Sequence, residues 1–178
     1  MSKSFLYSLK GQQGKVIIET DREAVNRFVT IERNINKVDL LQKNNIILNC
    51  KAKPKEDVIR EVGQLLYESG YVDESYIDGM LKRELTFSTN IGNGIALPHG
   101  VEEAKKDIKK SGIAVMVFPE GTMWKEEPVY VVIGIAGVGE EHLEVLANIA
   151  EKLSTPDAVD NLIKSSADEI YTIFTDKE

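Results

Sequence analysis

The run Val129-Tyr130-Val131-Val132-Ile133-Gly134-Ile135-Ala136-Gly137-Val138-Gly139-Glu140-Glu141-His142-Leu143 passes from a β-branched apolar block, through a glycine turn, into a charged segment. The block is too continuous for a strand with one wet face, so it predicts a strand buried on both sides in a helix-covered sheet. After Gly139, residues Leu143, Leu146, Ile149, Ala150 and Leu153 recur at helical spacing. They predict a helix over 140–153 with those side chains facing inward. His142 falls in its first turn, where free backbone N–H groups attract anions.

Working outward, Ser111 to Phe118 reads as a second buried strand bounded by Pro119-Glu120-Gly121, and Ile46 to Cys50 as a third. Pro54 suits the first position of a helix whose apolar face is Val58, Ile59, Val62, Leu65 and Leu66, with Gly70 placed to end it. Asp73 is a candidate cap for a second helix carrying Tyr76, Ile77, Met80 and Leu81, with Arg83-Glu84 near its last turn. Two short helices follow, one starting near Thr155-Pro156 and one behind the capping box Ser166-x-x-Glu169. Such alternation describes a layered α/β domain, placed at residues 38–178. Residues 1–37 form an N-terminal extension in which Lys15 to Glu19 reads as a strand and Thr20-x-x-Glu23 opens a helix to about Asn34.

The net charge of -7 argues against a general nucleic-acid binder. Cys50, the lone cysteine, excludes an internal disulfide and reads as a small core residue. Val129 to Val138, the longest apolar stretch, is about half of the ~20 residues that a membrane span needs, so no direct membrane insertion is expected. The first ten residues lack the apolar block of a secretory signal, and a cytoplasmic location is expected by default. No cofactor is expected, because Gly92-x-Gly94 neither ends in Gly-Lys-Ser/Thr nor continues to a third glycine. Neither His-x-x-x-His nor His-Glu-x-x-His occurs, so no metal is expected either.

Ile91-Gly92-Asn93-Gly94-Ile95-Ala96-Leu97-Pro98-His99-Gly100 seats one of the two histidines between a proline and a glycine. Pro98 favours an extended Leu97, and Gly100 leaves room for another molecule to approach the imidazole. His99 has two readings, a loop histidine bonded to backbone or an exposed nucleophile that accepts a phosphoryl group. A strand ending at Leu97, parallel to and beside the one ending at Ala136, would bring His99 and His142 face to face. Taken singly, His142 and Arg83 also suit solvated surface positions, and Glu102 to Lys110 reads as a solvated helical face with Glu–Lys pairs.

Arg83-Glu84 followed by Ser88-Thr89-Asn90-Ile91-Gly92-Asn93-Gly94-Ile95-Ala96-Leu97-Pro98-His99-Gly100 closely resembles the signature of the EIIA domains of the bacterial phosphoenolpyruvate-dependent sugar phosphotransferase system, in the mannitol/fructose/nitrogen class. Val132 to Gly137 and Glu141-His142-Leu143-Glu144-Val145-Leu146 extend the likeness over about Val38 to Phe174. The resemblance implies a mixed sheet of about five strands flanked by helices. It implies that His99 takes a phosphoryl group from the phosphocarrier protein HPr and passes it to a cysteine of the EIIB domain of a membrane EIICB permease. It further implies that His142 stabilises the phosphorylated site and that Arg83 holds charge. Val-Ile-Gly-Ile-Ala-Gly and Trp124 look mannitol-type, although Asn90 stands where such sequences often carry an aromatic residue. A fructose- or nitrogen-type domain, or an EIIA-like module phosphorylated for signalling, are the alternatives.

Overall fold

A computed structural model describes residues 40–175 of the chain, so the strand and helix expected within residues 1–37 lie outside the described residues. The elements are β1 (Leu41–Ile47), α1 (Lys55–Glu68), α2 (Tyr76–Thr86), β2 (Asn90–Gly92), β3 (Ile95–Ala96), a 3-10 turn (Glu102–Asp107), β4 (Gly112–Trp124), β5 (Glu127–Ala136), α3 (Glu140–Lys152), α4 (Pro156–Lys164) and α5 (Ala167–Thr175). Among the described residues they build one five-stranded sheet in the order β1-β4-β5-β3-β2. β1 runs parallel to β4, β4 antiparallel to β5, β5 parallel to β3 and β3 antiparallel to β2, a mixed sheet as expected.

Strand periodicity sorts the apolar side chains into two cores. Ile113, Val115 and Val117 of β4 join Val131, Ile133 and Ile135 of β5 against Val145, Ile149, Val159, Leu162, Ile170 and Phe174 of α3, α4 and α5. Ala114, Met116 and Phe118 alternate to the other face and meet Val58, Ile59, Val62 and Leu66 of α1 with Tyr76 and Met80 of α2. Both faces of β4 and β5 are therefore dry, which explains their unbroken apolar runs.

Four local expectations change. β4 continues beyond Pro119 to Trp124, because an irregularity between Val117 and Thr122 with Gly121 at φ +78° absorbs the proline and pairing then resumes. Pro54 occupies the cap position rather than the first helical residue, and α2 is entered through Ser75 rather than a capping Asp73, whose carboxylate pairs with Lys109 at 2.9 Å. Leu143 points outward at 67% exposure, and the buried stripe of α3 is Val145 and Ile149. At the chain's end the capping box closes reciprocally, Ser166 N–H to Glu169 Oε2 at 2.7 Å and Glu169 N–H to Ser166 Oγ at 3.2 Å.

Candidate functional site

β3 lies parallel to β5, with Ile95 opposite Val131 and Ala96 opposite Val132, and an isolated parallel bridge carries the pairing on to His99 and Ile135. The Ile135 N–H donates to the Pro98 carbonyl at 2.9 Å. His99 therefore sits at the carboxyl end of the central parallel pair, beside the turn into α3. That is the edge at which open α/β sheets bind ligands.

The His99 ring is half-buried, and its Nδ1 lies 2.8 Å from the Leu97 carbonyl oxygen. A carbonyl only accepts, so Nδ1 carries the proton and the neutral ring presents its lone pair on Nε2. The backbone-bonded reading of His99 is the one the structure shows, and the bond to Leu97 leaves Nε2 as the ring nitrogen without a proton. Gly100 has a different job from the one its sequence position suggests. A Cβ there would stand 2.6 Å from the Tyr76 ring and 3.0 Å from Ala104, so the glycine makes room for the protein's own tyrosine. Tyr76 Oη donates to the Ile135 carbonyl at 2.7 Å and accepts the Gly100 N–H at 2.8 Å, tying the histidine loop to β5. Burial pushes this phenol up to about 12, keeping it a donor.

His142, in the first turn of α3, faces His99 with ring centroids 5.8 Å apart and planes inclined at 54°. Its Nδ1 is enclosed without a hydrogen-bond partner. α3 has Gly139 as its N-cap, so no side chain caps its first N–H groups, which suit an anion. Arg83, in the last turn of α2, donates from Nη1 to the Phe87 carbonyl at 2.8 Å, and its charge still reaches the His99 ring. The structure thus sets His99 and His142 face to face, while Arg83 is held at Phe87 and acts on His99 through its charge alone. It adds Lys105, whose charge acts on both rings while its ammonium pairs with Glu102 at 2.7 Å. The solvated-face reading of residues 102–110 missed that proximity.

Glu84 also escaped attention. Its signal was an acid on the stripe Tyr76, Met80, Glu84, the buried face of α2. Among the described residues no group of three or more histidine, cysteine, aspartate or glutamate side chains is arranged to hold a metal ion.

Burial lowers the His99 pKa, and the charges of Arg83 and Lys105 add to the fall against the Leu97 bond and Glu84, which oppose it. Burial, then the charges of His99 and Lys105, lower that of His142 against Glu102. Both rings are neutral at neutral pH, as a nucleophile requires. Between the ordinary histidine value near ~6.5 and the depressed folded values, the unfolded chain binds protons that the native chain refuses. Stability should therefore fall as pH drops through that window and level off once the folded rings protonate. Urea midpoints measured from about pH 7.5 downward should show this slope. The slope should shrink in His99→Asn, and an identical slope in that variant would refute the assignment.

The sheet order and the paired imidazoles define the class: an α/β domain that presents two facing imidazoles at the carboxyl ends of its central strands. Residues 39–177 match the family model described as phosphoenolpyruvate-dependent sugar phosphotransferase system, EIIA 2, and the chain belongs to that family. It is 44% identical over 131 residues to the mannitol-specific phosphotransferase enzyme IIA component of Geobacillus stearothermophilus, covering 73% of this chain and 90% of that protein. The crystal structure of IIA mannitol from Escherichia coli superposes with a TM-score of 0.68 at 34% identity, covering 75% of this chain and 97% of that one. An Escherichia coli complex of enzyme IIA mannitol with phosphorylated enzyme IIB gives 0.69 at 33% identity, over 76% and 98% of the two chains.

Proposed function

We propose that this chain is a phosphocarrier of a mannitol phosphotransferase system, with residues 38–178 as the transfer domain and residues 1–37 as an extension to it. His99 Nε2 attacks the phosphorus of phosphohistidine on HPr, the donor's P–N bond breaks, and the group rests on His99 until a cysteine thiolate of EIIB takes it. The observation that carries this reading is the Nδ1–H bond of His99 to Leu97, which leaves Nε2 as the free lone pair of a neutral ring.

The remaining residues have matching tasks. Arg83 and Lys105 offset the charge arriving on the phosphoryl oxygens, the open N–H groups of α3 receive one of them, and His142 stands close enough to donate to another. Mannitol as the sugar served is supported by relatives that carry that name. No helix among the described residues is long and apolar enough to cross a membrane. We place the carrier on the cytoplasmic side, where it would serve a separate permease.

The test is to incubate the protein with phosphoenolpyruvate, enzyme I and HPr, and then to add the EIIB domain of a mannitol permease. An acid-labile phosphoprotein that EIIB discharges within turnover times is expected. Absence of labelling would overturn the carrier reading, and a labelled protein that EIIB leaves charged would point instead to signalling.

A further inference from the structure

Glu84 is a carboxylate with 4% exposure, yet none of the transfer steps uses it. Its two oxygens divide their partners. Oε2 accepts from Thr89 alone, from N–H at 2.8 Å and from Oγ1 at 2.6 Å. Oε1 accepts from Trp124 Nε1 at 3.0 Å, Ser88 Oγ at 3.3 Å and Lys55 Nζ at 3.4 Å. Burial raises the carboxyl pKa, but the Thr89 bonds, the Lys55 charge and the Trp124 bond outweigh it and hold the group ionised. A buried acid is tolerated only on such terms.

The Thr89 that Glu84 grips is joined to the nucleophile. The Thr89 carbonyl accepts the Leu97 N–H at 2.9 Å, and the Leu97 carbonyl accepts Nδ1–H of His99 at 2.8 Å. Carboxylate, Thr89, Leu97 and imidazole form one series of bonds, in which the placement of each residue sets the placement of the next. We propose that Glu84 is a positioning residue: by fixing Thr89 it fixes the Leu97 carbonyl that selects the Nδ1–H tautomer of His99 and frees Nε2. The proposal rests on His99 being the phosphoryl acceptor. It requires a carboxylate, because an amide at position 84 would set its own N–H group against the donors of Thr89 or against that of Trp124.

Nitrogen-15 NMR of labelled histidine, at a pH where the rings are neutral, reads the tautomer directly. The wild type is expected to show His99 protonated on Nδ1 and bare on Nε2. Glu84→Gln is expected to show a mixture, with phosphoryl acceptance from phospho-HPr slowed at least about tenfold while KM for HPr stays within about twofold. Trp124→Phe removes a bond to the other oxygen and is expected to keep the wild-type tautomer. Should Glu84→Gln fail to fold, Thr89→Val decides, with a smaller shift in the same direction expected. A folded Glu84→Gln or Thr89→Val with the wild-type tautomer would overturn the proposal, as would a Trp124→Phe shift as large as that of Glu84→Gln. The tautomer is measured without any phosphoryl donor. Labelling that persists in His99→Ala would therefore remove the acceptor assignment while the link from Glu84 to the ring stood or fell by its own readout.

Discussion

His99→Ala should accept at least about a hundredfold less phosphoryl label from phospho-HPr than the wild type, a loss of roughly 2.7 kcal/mol or more of transition-state stabilisation. The fold should survive, because His99 is bound to the sheet through main chain. Its bridge to Ile135, the Pro98 carbonyl bond and the Gly100 bond to Tyr76 all remain. His142 is the one residue with the chemistry to substitute, since its ring is also held neutral and lies 5.8 Å away. Nothing fixes its tautomer, however, because its Nδ1 has no partner. Any residual label in His99→Ala should therefore map to His142 and vanish in the double variant. Acid-labile radiolabel, measured by filter binding with mass-spectrometric assignment of the site, checks both. Full labelling of the single variant would end the case for His99.

Much of this site was legible in sequence because it hangs on one supersecondary unit. The β5 run is apolar on both faces, so its length and glycine boundary identify a central strand. Parallel alignment with the Ile95-Ala96 strand then places the two histidines together without knowledge of any side-chain contact. The phase of α3 was harder. Leu143, Val145 and Leu146 crowd about one turn, and either of two stripes about 100° apart fits them. The sheet selects Val145 and Ile149, which turns Leu143 outward and His142 toward His99.

Gly100 and Glu84 were misread or missed for a shared reason: each meets an aromatic side chain from an element distant in sequence. A glycine beside a nucleophile suggests space for a substrate, whereas here the space is filled by Tyr76 from α2. A glutamate beside a conspicuous arginine passes for half of a surface pair. Thr89 lies in the loop directly after α2, but Trp124, at the end of β4, reaches the carboxylate only when the sheet is assembled. Helical spacing did mark it, since Tyr76, Met80 and Glu84 follow one another by four. An acid at the end of an apolar stripe is either an exposed helix end or a buried anchor, and only tertiary packing chooses.

Gly137→Ala should separate the placement of His142 from the presence of its imidazole. A Cβ at position 137 would lie 2.5 Å from His142 Nδ1, 2.6 Å from its Cβ and 2.8 Å from its Cα. The first contact could be relieved by rotating the ring, but the last involves backbone, so the first turn of α3 must move. Forced displacement of this kind costs about 1–3 kcal/mol of stability. It should also carry His142 out of register with His99 and slow phosphoryl transfer by about tenfold, or ~1.4 kcal/mol in the barrier. His142→Ala keeps its own Cβ and Cα and therefore keeps the clash. In that background Gly137→Ala should still lower the urea midpoint by a similar amount while slowing transfer no further. Additive losses of rate in the double variant would mean that Gly137 acts on His99 by another route, and unchanged stability in both backgrounds would show that α3 adjusts at no cost.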